Sequence, residues 1–65
     1  MDHDRLIYMA NQIATNLAAQ GDAAAELTCQ HLRDFWDPRM KAAILNGNRD
    51  GLNSIARAAV ERLAA

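Results

Sequence analysis

Sixty-five residues with a formal net charge of −1, one cysteine and three aromatic side chains exclude several classes of protein at once. The length allows one domain, at a size where a single hydrophobic core is barely sufficient. One cysteine makes no internal disulfide, two histidines far apart in sequence argue against a structural metal, and no apolar run reaches the length of a membrane span. What stabilises so short a chain must then be regular helix packing, a partner, or both.

Alanine supplies much of the hydrophobic fraction, and it is the residue that loses least on entering a helix. The first predicted helix runs from about Asp4 to Gln20, with Leu6, Ala10, Ile13, Ala14 and Leu17 on its inward face. Asp2 and Asp4 lie where the helix dipole favours negative charge, and Gly21 is expected to close the element. Asp22 is expected to cap a second helix ending near Phe35, whose inner face carries Ala24, Ala25, Thr28, Leu32 and Phe35. Asp37-Pro38 restarts the chain as a cap acceptor followed by a proline at the first helical position. The third helix ends near Leu45 and is followed by an evident loop, Asn46 to Gly51. A last helix spans about Ser54 to Ala64, capped by Asn53. Its inward face holds Ile55, Ala56, Ala59, Val60 and Leu63, with Leu52 just ahead. No strand pattern competes, and the expected fold is all-α: one domain over 1–65, a small bundle of three to four short helices.

The charge is unevenly spread. Residues 1–37 hold six acidic and two basic side chains, and residues 38–65 hold two acidic and five basic ones. Arg39, Lys41 and Arg49 are the candidates for a modest phosphate-contacting patch. Asp37 and Asp50 flank them and weaken it, so nucleic acid is a poor expectation. More informative is the stretch from Leu6 to Gly21, which contains no charged residue. The outer face of the first helix carries Tyr8, Asn11, Gln12, Thr15 and Ala19, where an ordinary exposed face carries Lys and Glu. This is either the composition of one short helix or the mark of a helix held between its own core and a partner. Charge depletion of that kind is what interface cores display.

Catalytic or metal chemistry finds little support. Cys29 and His31 are two residues apart on a helix, so their side chains diverge and cannot chelate one ion. Cys29 reads as a small buried hydrophobe, and His31 could pair with Asp34 one turn on. There is no glycine-rich phosphate loop, nucleophile elbow or paired carboxylate motif. No catalytic or metal residue is assigned. The densest segment is Phe35-Trp36-Asp37-Pro38-Arg39-Met40. Phe35 is expected to face the core and Trp36 to sit at the corner, either as an interhelical plug or as a binding hot spot with Arg39 and Met40. The two readings can coexist.

Two segments together, Arg5-Leu6-Ile7-Tyr8-Met9-Ala10-Asn11-Gln12-Ile13-Ala14 and Phe35-Trp36-Asp37-Pro38-Arg39-Met40, resemble the delta subunit of NAD-dependent formate dehydrogenases. The ending, Gly51-Leu52 and Ala58-Ala59-Val60-Glu61-Arg62-Leu63, is also similar to that family's, and the likeness covers most of the chain. The resemblance implies a small, cytoplasmic, noncatalytic accessory subunit. It would bind the large alpha subunit of the complex and support its assembly or stability. The cofactors would lie in other subunits: the molybdenum- or tungsten-pterin guanine dinucleotide, iron–sulfur clusters, FMN and NAD. This chain would bind none of them alone. The partner-binding set assigned on this basis is Tyr8, Asn11, Gln12, Trp36, Asp37, Pro38, Arg39 and Met40. Two alternatives stay open. One is a maturation factor touching a guanine nucleotide or the nucleotide part of the pterin cofactor through Arg39, Lys41 or Arg49; the other is a small helical regulator of protein or nucleic acid. Self-association of the isolated chain is expected if its apolar surface is left uncovered.

Overall fold

Three side-chain caps organise the helices of the computed structural model, which describes residues 2–65. Asp2, Asp37 and Asn53 each hold an extended backbone, with ψ of 162, 168 and 171°. Each turns a side-chain oxygen back to accept from the amide of the third residue on: Arg5, Met40 and Ala56, at 2.8, 2.9 and 2.8 Å. These caps open α1 (His3–Leu17), α3 (Pro38–Asn46) and α4 (Ser54–Ala64). Asp37 and Pro38 act as the sequence implies, with the proline in the first turn of α3. Asp37→Ala should cost about 1 kcal/mol, read as a lowered urea midpoint with unchanged slope.

The passage from α1 to α2 (Ala24–Phe35) differs from the expectation. α1 ends at Leu17 and continues as a tight 3-10 segment over Ala18–Ala23, in which Gly21 takes φ +62°. The glycine breaks the path, as its position suggests, but Asp22 does not cap α2. The residue at the cap, Ala23, already has helical backbone and no side chain bonds there. A capping carboxylate needs the extended backbone seen at the other three starts.

The short connection folds α1 back on α2, so the N-terminal half of α1 meets the C-terminal half of α2. α4 makes its largest contact with α2. It runs antiparallel to it, since Arg62 near its end reaches Glu26 near the start of α2 at 3.6 Å. That pair is exposed and contributes little. α3 lies across the N-terminal end of α1.

The core gathers Leu6, Ala10 and Ala14 from α1, Leu32 and Trp36 from the end of α2, Ile44 from α3, Leu52 from the loop, and Ala56 and Val60 from α4. Five of the twelve buried hydrophobic residues among those described are alanines. Their short side chains bury little area each but let helix axes approach closely, so the few large residues can fill the centre. Thr28, buried within α2, donates to the carbonyl of Ala24 at 2.8 Å and leaves no unpaired hydroxyl. Cys29 is a free, fully buried thiol.

The loop between α3 and α4 is held by side chains from α1. His3 donates from Nε2 to the carbonyl of Asn48 at 2.6 Å, which requires the tautomer with hydrogen on that nitrogen. The ring rests directly on Gly47, where an added Cβ would fall onto the imidazole. Gly47→Ala should displace His3, lose that hydrogen bond and cost about 1 kcal/mol. In a chain of this size the melting temperature should fall by about 4–8 °C. An unchanged melting temperature would mean that the ring moves aside without loss.

Candidate functional site

The two aromatic residues at the end of α2 exchange the places expected of them. Trp36 is 5 % exposed and belongs to the core, whereas Phe35 is 74 % exposed. The buried positions Ala24, Thr28 and Leu32 recur every fourth residue, and the next on that stripe is 36. Trp36 also leaves the helix (φ −84°, ψ 135°) at the turn into the Asp37 cap. Phe35 instead follows His31 on the outer side, with ring centroids 4.8 Å apart. The pairing of His31 with Asp34 is not formed: Asp34 accepts from Gln30 Nε2 at 3.0 and 3.1 Å, and His31 packs on Phe35.

This exchange creates an open apolar groove of about 410 Å3 between α1 and the α2–α3 corner. Tyr8 and Gln12 form one wall and His31 and Phe35 the other. Met9, Ile13, Trp36 and Met40 complete the lining, all of them at least half-buried. Four of the residues assigned to partner binding, Tyr8, Gln12, Trp36 and Met40, thus meet in one place. Asp37, Arg39 and Met40 border a smaller neighbouring depression of about 290 Å3 with Leu6 and Ala43. Pro38 is exposed at the start of α3.

Asn11 lies on another flank of α1 and works inside the molecule. Its Nδ2 donates to the carbonyl of Gly51 at 2.9 Å, and its Oδ1 accepts from the amide of Asn53 at 2.8 Å. The side chain of Asn53 returns a longer bond to the Asn11 carbonyl at 3.4 Å. The expected contribution of Asn11 to an outward surface is therefore corrected: its amide is occupied by the loop that precedes α4.

The three basic candidates do not gather around one opening. Lys41 donates from Nζ to the carbonyl of Arg33 at 3.3 Å, and Arg49 from Nη2 to that of Leu45 at 2.8 Å. Both thus satisfy carbonyls in the last turn of a helix, where cations are favoured. Arg39 is exposed beside the smaller depression.

The sequence places His31 on the helix surface but does not bring Phe35 and Leu27 there with it. Their signal was present: 27, 31 and 35 are spaced by four and form one stripe on α2. Phe35, Tyr8 (63 %) and Leu27 (39 %) are the exposed large hydrophobic residues among those described. Two lie on the groove's walls, and Leu27 extends the wall of α2. No group of three or more histidine, cysteine or carboxylate side chains is placed to hold a metal ion among the described residues. No helix among them is long and apolar enough to cross a membrane.

A family model described as the NADH-dependent formate dehydrogenase delta subunit, FdsD, matches residues 5–60. No curated protein and no solved structure matches the chain. The matched span takes in the exposed face of α1, the aromatic corner, the loop and most of α4. The chain belongs to the FdsD family of NADH-dependent formate dehydrogenase delta subunits.

Proposed function

We propose that this chain is a noncatalytic accessory subunit that docks through its apolar groove onto the large metal–pterin subunit of a cytoplasmic formate dehydrogenase. There it supports assembly or stability of the complex. The observation that carries this reading is the groove with two exposed aromatic walls and no charged side chain in its lining. Tyr8 and Phe35 standing in water would be unusual in a monomer this small, and aromatic and methionine side chains are what partner surfaces concentrate. The molybdenum- or tungsten-pterin guanine dinucleotide, the iron–sulfur clusters, FMN and NAD then belong to the other subunits, and the chain's part is mechanical. Left without its partner, the chain would tend to self-associate weakly, since a second copy shields the exposed aromatics without filling the groove.

Co-expression with the large subunit tests this. The double substitution Tyr8→Ala, Phe35→Ala should lower recovery of the complex at least about tenfold, because hot-spot aromatics contribute about 2 kcal/mol or more each. The helical circular dichroism of the isolated variant should match that of the parent, since both side chains are outside the core. Recovery equal to the parent's would move the docking surface elsewhere.

A further inference from the structure

The uncharged surface extends beyond the groove itself. On α1 it follows Tyr8, Gln12 and Asn16, and on the antiparallel α2 it follows Phe35, His31 and Leu27. Phe35 lies eight residues after Leu27, about 12 Å along the helix axis. Asp4 and Arg5 are both exposed one turn before Tyr8 and Met9, so this end carries both charges, with Arg5 turned toward the groove side of α1 and Asp4 at its flank.

The shape and charge of this surface limit what can fill it. A second copy joined groove to groove would set two concavities face to face and leave both unfilled. A second copy inserting a ridge would need an uncharged convex face. The outer faces of α4 and α2 are charged, with Arg57, Glu61 and Arg62 on α4 and Glu26, Arg33 and Asp34 on α2, and the exposed turn Ala18–Ala23 offers only alanine, glycine and short polar side chains, too small to fill the groove. A channel between two antiparallel helices, with Met9 and Met40 as adaptable lining, suits a third helix.

Resting on the docking reading above, we infer that the occupant is a single amphipathic helix of the large subunit. It lies along α1 with an uncharged apolar stripe in the groove and an acidic residue beside Arg5. Its anchors recur at helical spacing, so that contacts to Phe35 and to Leu27 lie about two turns apart on it.

Photo-crosslinking in the assembled complex tests this. The photoreactive p-benzoylphenylalanine replaces Phe35 in one preparation and Leu27 in another, and adducts are mapped by mass spectrometry. The expected result is adducts from both positions to one segment of the large subunit, at residues about seven or eight apart. Arg5→Glu should also lower recovery of the complex at least threefold in low salt, with the difference fading as salt is raised. Adducts to a second copy of this chain, or to scattered segments, would overturn the inference. So would an intact complex with no adduct from either position, and that outcome would leave the docking reading standing. Failure of the unaltered chain to assemble with the large subunit would overturn both. Equal recovery of the Arg5→Glu complex would overturn the placement of an acidic residue there.

Discussion

Trp36→Ala should leave the isolated chain largely unfolded at 25 °C. The indole is 5 % exposed and is the largest side chain in the core, where it packs with Leu6, Leu32 and Ile44. Truncating a buried tryptophan costs about 3–5 kcal/mol, combining lost transfer free energy with the cavity left behind. A chain of 65 residues has about 3–10 kcal/mol of stability in total. The alanines on the facing helices have no rotamers with which to refill the space. Far-ultraviolet circular dichroism and urea titration check this, with Phe35→Ala as the contrast. Phe35→Ala should change the urea midpoint little, because its ring is already in water. A folded Trp36→Ala protein with a midpoint close to the parent's would contradict the assignment of Trp36 to the core.

The second large effect is expected at Asn11. Replacing it by alanine removes the acceptor of the Asn53 amide, in a partly buried setting, and the donor to the exposed Gly51 carbonyl together. The Asn53 amide left unsatisfied costs about 1–3 kcal/mol and the Gly51 carbonyl, open to water, adds little, so a loss of about 1–3 kcal/mol is expected. The damage should be directed. Asn53 is both the partner of Asn11 and the cap of α4, so amide hydrogen exchange should accelerate first in the loop before α4 and in that helix's first turn. Uniform acceleration along the chain would show that the loop is not held by this side chain.

These two residues mark where the sequence is legible and where it is not. Asp37-Pro38 and Asn53 could be read as helix starts because a cap is a local device: an acceptor, an extended backbone and an amide three residues on. Asp22 has the same chemistry but does not cap, because the turn at Gly21 leaves the next residues already helical. By its angle on α1 alone, Asn11 belongs to an outward face. A loop forty residues further on claims it, and nothing near Asn11 in the sequence announces that loop. Lys41 and Arg49 read as free cations, and helix-end carbonyls occupy both.

The amino-acid sequence by itself determined the helical class, three of the four helix starts, the inward stripes of α1 and α4, and, through two motifs, the family. All of these follow from spacing and chemistry within a few residues. Tertiary structure decided which of two adjacent aromatics is the core and which is the surface. Phe35 and Trp36 stand side by side at the end of a helix: the four-residue stripe of Ala24, Thr28 and Leu32 points on to 36, but Trp36 has already left the helix, so the space left by neighbouring helices is what seats the indole. That single choice opens the groove, since an inward Phe35 and an outward Trp36 would have rearranged both its wall and its lining.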